Sequence, residues 1–127
     1  ETLAATADFL RGFAARAEAI IVVTGAIDLV TDGVTTYVVR NGRAEMGRVT
    51  GTGCQLSALL AAALAVEPPG LLASVAETVA LMGVAGEIAW AQMGERDGNA
   101  TYRTRIIDAI YRMTGEELDA RMNIKKI

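Results

Sequence analysis

The sequence has no histidine, one cysteine and two prolines, and only 5% of it is aromatic. Each scarcity removes a class of function. Without histidine the chain cannot assemble a Ser-His or Cys-His nucleophile pair of its own. A zinc site loses its usual nitrogen ligand as well. The single cysteine, Cys54, excludes an internal disulfide and fits a reducing compartment such as the cytoplasm. Basic runs are missing too. The net charge is −3, and Lys125-Lys126 is the only pair of adjacent cations, so there is no electrostatic footprint for nucleic acid. No secretory signal pattern opens the chain.

What the sequence does have is aliphatic surface. Its 127 residues suit one domain, yet 52% of them are hydrophobic, high for a small domain that must cover itself. The chain also begins Glu1-Thr2-Leu3, without methionine. Both features lead us to expect a fragment or a processed chain that needs a partner to complete its core. The longest apolar stretch, Leu71 to Met93, contains Glu77 and Glu87. Each would cost about 3 kcal/mol near a bilayer centre, so a buried helix is expected rather than a membrane span.

Along the chain, residues 2 to 18 show helical spacing of Leu3, Ala7, Leu10, Ala14 and Ala17, with Phe9 and Phe13 as an i, i+4 pair. Ala19 to Val23 reads as a buried parallel strand. Leu29 to Met46 reads as a β-meander with turns at Asp32-Gly33 and Asn41-Gly42. Ala44 to Val49 is strand-like and leads into a glycine loop. Gln55 to Val66, almost all alanine and leucine, predicts a helix buried on most sides. Pro68-Pro69-Gly70 breaks the chain before the long apolar helix. Val75, Val79, Met82 and Val84 are core candidates there. Glu77 and Glu87 lie about 80° apart on its wheel and read as its solvated side. Thr101 to Met113 predicts a further helix, and Thr114-Gly115-Glu116-Glu117 is a capping box opening a last short one. The places of Trp90, Tyr102 and Tyr111, in the core or at subunit contacts, stay open.

The chemistry concentrates in Val49-Thr50-Gly51-Thr52-Gly53-Cys54, at a strand-to-helix junction. Two glycines around a threonine let a ligand approach the backbone. The first helical amides have no partner inside the helix, and with the helix dipole they suit an anion such as phosphate. Thr52 and Gly53 are the anion-hole candidates, and Cys54 is the most reactive side chain nearby. The pattern is neither a P-loop, since no Gly-Lys-Ser/Thr follows, nor a dinucleotide fingerprint, which has a third glycine. Thr24 and Gly25 end the earlier strand, where open α/β sheets bind ligands. Asp28 either faces that site or holds its own turn.

The ordered pair Thr24-Gly25-Ala26-Ile27-Asp28 and Val49-Thr50-Gly51-Thr52-Gly53-Cys54 resembles the hydroxyethylthiazole kinases of thiamine salvage, within the ribokinase-like fold. The resemblance implies an α/β architecture: a mainly parallel sheet with an antiparallel edge and helices on both faces. It also implies that residues 1–127 are about the C-terminal half of one kinase domain. The reaction it implies is ATP- and Mg2+-dependent phosphorylation of 4-methyl-5-(2-hydroxyethyl)thiazole. Thr24 would contact ATP phosphate, Gly51 would contact the thiazole, and Cys54 would lie beside the accepting hydroxyl as catalytic base or positioner. Magnesium ligands are expected in the N-terminal half. Sugar kinases of the superfamily usually carry aspartate where Cys54 stands. The expected partners are the two substrates, the N-terminal half and two further copies in a homotrimer, without nucleic acid or membrane. Two alternatives remain: another ribokinase-like kinase of a small alcohol, and a non-catalytic module that binds a phosphorylated metabolite.

Overall fold

Helix α1, Leu3–Ala17, starts at Thr2, whose hydroxyl accepts from the Ala5 amide at 3.3 Å, and ends at Glu18 in the left-handed region. A computed structural model describes residues 2–127. Ala7, Leu10 and Ala14 form the buried stripe of α1, whereas Phe9 and Phe13 on its other side are exposed. The stripe rests on a four-stranded sheet in the order β1 (Ile21–Val23), β2 (Asp28–Thr31), β3 (Thr36–Val39), β4 (Ile124–Lys126).

Strand alternation divides the core. Leu29 and Val38, directly opposed, pack with Leu10 under α1. Val30 and Val39 point the other way, into the main core. The sheet is therefore covered on both faces, as expected of an α/β layer structure. Thr31 and Thr36 end the β2–β3 ladder as a buried pair. The Thr36 hydroxyl donates to Thr31 Oγ1 at 3.0 Å and accepts from Arg11 Nε at 2.9 Å. The Asp32-Gly33 turn forms as expected, with Gly33 at φ +94.

The expected parallel pairing is absent among the described residues: all three ladders are antiparallel. For the first two ladders the cause is loop length. Residues 24–27 join β1 to β2 and residues 32–35 join β2 to β3, far shorter than the dozen or more residues of a parallel crossover. Nor is β1 a buried central strand. Among the described residues it pairs only with β2 and no strand lies on its other edge, and Val23 is exposed.

The expected strand at Ala44 to Val49 is a 3-10 helix, Ala44–Arg48, and Asn41-Gly42 does not close a hairpin. The competing element is β4, which the sequence reading missed. It occupies the free edge of β3, pairing Tyr37 with Lys126 and Val39 with Ile124, and so leaves no position for a strand after Asn41.

Helix α3, Leu71–Ala91, is the central beam. Val75, Val79, Met82 and Val84 are buried as expected, along with Ala80, Ala85 and Ala89. By length and composition it is apolar enough to cross a membrane, but it packs here against the sheet, α2 (Thr52–Ala65) and α4 (Asn99–Arg112). Tyr102 on α4 is buried and donates to the Gly86 carbonyl at 2.9 Å, and Trp90 lies 5.3 Å from its ring, while Tyr111 is exposed. Helix α5, Gly115–Arg121, carries the predicted cap, with the Glu117 amide donating to Thr114 Oγ1 at 3.1 Å. Helix α2 departs from expectation. It lies against α3 along one stripe, and of its residues only Leu56 is buried. Ala58, Ala61, Leu64 and Ala65 face outward in this chain.

Candidate active site

The two sequence segments that carry chemistry meet at one cleft. After β1, the chain turns through Thr24 and Gly25. Asp28, the first residue of β2, holds that turn by accepting from the Gly25 amide at 2.9 Å. Asp28 thus braces its own turn, and it also lines the cleft. Burial raises its carboxyl from its ordinary value, and the Gly25 hydrogen bond opposes that shift.

Opposite lies the start of α2. Gly51 is the N-cap, at φ 98 and ψ 2, a conformation that favours glycine. Its carbonyl accepts the first helical bond, from the Gln55 amide at 2.9 Å. The amides of Thr52, Gly53 and Cys54 precede that bond and have no acceptor within the helix. Gly51 and Gly53 differ in why each is glycine. Gly51 has positive φ, whereas Gly53 does not, and a Cβ on either meets nothing within 4 Å. Neither the backbone nor the described neighbours require glycine at 53. The bare space there suits a group that comes to the amides from outside.

The cleft between these elements has a volume of about 630 Å3. Thr24, Gly25 and Asp28 form one side, Thr52 and Gly53 a second, and the segment Asn41 to Gly47 a third. Its floor is apolar, from Leu56, Val79 and Met82. Of the sequence-predicted residues, Thr24, Thr52 and Gly53 thus come together. Gly51 and Cys54 stand at the same helix start without lining the cleft, and the Cys54 side chain is exposed. A second cleft of about 690 Å3, between α3 and α4, holds none of these residues.

Sequence reasoning missed the third wall. Among the described residues Arg43 is the only cation lining the cleft; it pairs with Glu45 at 3.1 Å and sits 5.4 Å from the Trp90 ring centroid. Glu87, read as solvated, is half-buried and accepts from the Gly42 amide at 2.7 Å. The signal available for this wall was Asn41-Gly42, which marked a positive-φ glycine but was assigned to a hairpin; Gly42 has φ +114. Among the described residues, no group of three or more acidic or cysteine side chains is placed to hold a metal ion.

The hydroxyethylthiazole kinase family model matches residues 1–116. A hydroxyethylthiazole kinase of Clostridium acetobutylicum is 40% identical over 119 residues, 94% of this chain and 44% of that protein. One from Archaeoglobus fulgidus is 39% identical over 108 residues, 85% of this chain and 39% of that protein. The solved hydroxyethylthiazole kinase of Pyrococcus horikoshii OT3 superposes with a TM-score of 0.85 at 27% identity, covering 98% of this chain and 47% of that one. The chain spans less than half the length of these relatives. The match thus extends over nearly the whole of this chain, which belongs to the hydroxyethylthiazole kinase family.

Proposed function

We propose that this chain forms the C-terminal half of a hydroxyethylthiazole kinase. That enzyme moves the γ-phosphoryl of ATP onto the primary alcohol of 4-methyl-5-(2-hydroxyethyl)thiazole, in the cytoplasm. One observation carries the reading: free amides at the start of α2, framed by Gly51 and Gly53, face Thr24-Gly25 across a cleft with an apolar floor. Phosphoryl transfer requires alignment and neutralisation of charge on the transferring oxygens. The amides of Thr52 and Gly53 suit the second task, and the Thr24 hydroxyl suits a phosphate oxygen beside them. Leu56, Val79 and Met82 offer an apolar surface for the nucleobase. Gly51 contacts the thiazole, and Cys54 holds the accepting hydroxyl. Bound magnesium neutralises phosphate charge, and its ligands come from the N-terminal half.

Two surfaces support that missing half as a partner. The outward apolar side of α2 and the open edge of β1 both need cover. In this reading a parallel strand adds at β1, giving the ribokinase-like sheet, and three copies share active sites across their interfaces. The test is to supply both halves, or the whole kinase, with ATP, magnesium and the thiazole alcohol. The expected products are ADP and the thiazole phosphate. Turnover of a sugar alcohol in its place, with none of the thiazole, overturns the substrate assignment.

A further inference from the structure

Glu87 occupies an unusual place. It lies in the most apolar helix of the chain, half-buried, with no salt-bridge partner among the described residues. A carboxylate drawn from water needs donors. The two it has both belong to the third wall of the cleft: the Gly42 amide at 2.7 Å and Asn41 Nδ2 at 3.2 Å. Asn41 is buried and fully engaged. Its Nδ2 also donates to the Arg121 carbonyl at 2.9 Å, and its Oδ1 accepts from the Asn123 amide at 2.7 Å.

Helix α3 is shaped to receive this wall. A Cβ on Gly83 would meet Asn41 backbone at 2.7 Å, and one on Gly86 would collide with the Met46 side chain. Two glycines one turn apart thus make a notch in which residues 41–46 lie, and Glu87 fastens the chain at its edge. The fastened residue, Gly42, directly precedes Arg43, the cation that lines the cleft.

The geometry points to Glu87 as a positioning residue for the phosphate-bearing substrate. By holding the Gly42 amide it fixes the wall that presents Arg43 towards the same cleft as the α2 amides. The inference rests on the kinase reading above and adds a residue to it. Glu87 does not line the cleft and touches no substrate.

The experiment uses the full-length kinase. Glu87→Ala is expected to raise the KM for ATP about tenfold, the equivalent of about 1.4 kcal/mol. The KM for the alcohol and kcat should stay nearly constant, a split that a general loss of structure does not produce. Glu87→Gln keeps an acceptor oxygen of the same reach and should restore ATP affinity. Glu87→Met, which keeps the length and removes the acceptor, serves if the alanine variant does not fold, and should behave like it. Unchanged ATP KM in the alanine or methionine variant overturns the inference. So does an equal rise in both KM values, or a glutamine variant as weak as alanine. A wild-type enzyme that phosphorylates nothing with ATP refutes the kinase reading itself, and is distinguished by needing no variant.

Discussion

Gly53→Ala should make the protein more stable and less active at once. The structure supplies both signs. Gly53 is the second residue of α2, its φ is not positive, and a Cβ there meets nothing within 4 Å. Alanine therefore adds helix propensity without strain, about 0.5 kcal/mol in a first turn against the full value of about 1 in a helix interior. In a kinase of full length that is an increase in Tm of about 1–2 °C. The same methyl stands where the proposed phosphate meets the amides. Lengthening or losing one charge-assisted hydrogen bond costs about 1.5–3 kcal/mol, roughly a 10- to 150-fold loss in kcat/KM for ATP. Gly53→Val should weaken ATP further, since its branched side chain fills more of the approach. Gly51→Ala is the control with the opposite stability sign: at φ 98 it should lose about 1–2 kcal/mol. Thermal unfolding, ATP titration calorimetry and steady-state rates on the same preparations read all of these quantities. A Gly53→Ala enzyme with wild-type ATP affinity and rate would refute the phosphate site. One that is less stable would refute the open space above residue 53.

Three further outcomes are expected. Cys54→Ala should slow single-turnover phosphoryl transfer at least about tenfold while ATP binding changes little, and Cys54→Asp should retain or raise the rate; full activity in the alanine variant removes Cys54 from the mechanism. Gly83→Ala pushes a methyl to 2.7 Å from Asn41 backbone and should destabilise by about 1–3 kcal/mol in denaturant unfolding, whereas unaltered stability would mean that residues 41–46 are not seated on α3. Burial pushes the Tyr102 hydroxyl from 10.0 up to about 12, so the fold favours the protonated phenol. That stabilisation is complete below about pH 10 and is lost as pH rises through about 12. The stability gap between wild type and Tyr102→Phe should therefore narrow over that range and stay constant below it.

Local signals were legible in the sequence, and long-range competition was not. The Thr114 cap, the Asp32-Gly33 turn and the apolar spacing of α1 and α3 each act within a few residues, and each formed as read. Ala44–Arg48 was misread because strand-like composition says nothing about whether a sheet edge is free. The edge had been taken by Ile124–Lys126, more than 80 residues away, whose Lys125-Lys126 pair looks like a solvated tail. The start of α2 was legible because its N-cap, Gly51, has a positive φ that favours glycine, although the strand expected before it is a 3-10 helix. Glu87 was not, because its spacing from Glu77 predicts a wet helix side, and only the folded chain brings Gly42 to it.

The two edges of the sheet have opposite characters. At one side β4 ends in Lys125 and Lys126, which guard the edge with charge and desolvation cost. At the other, β1 offers Ile21, Val22 and Val23 with no charge, bulge or proline. A ribbon of copies needs two adhesive edges per molecule, and this sheet has one. When chains of this span meet without their complement, association along β1 uses the edge that carries no charge on each. Pairing of β1 with β1 leaves outward only the two lysine-bearing β4 edges, which favours a two-fold pair over a fibre.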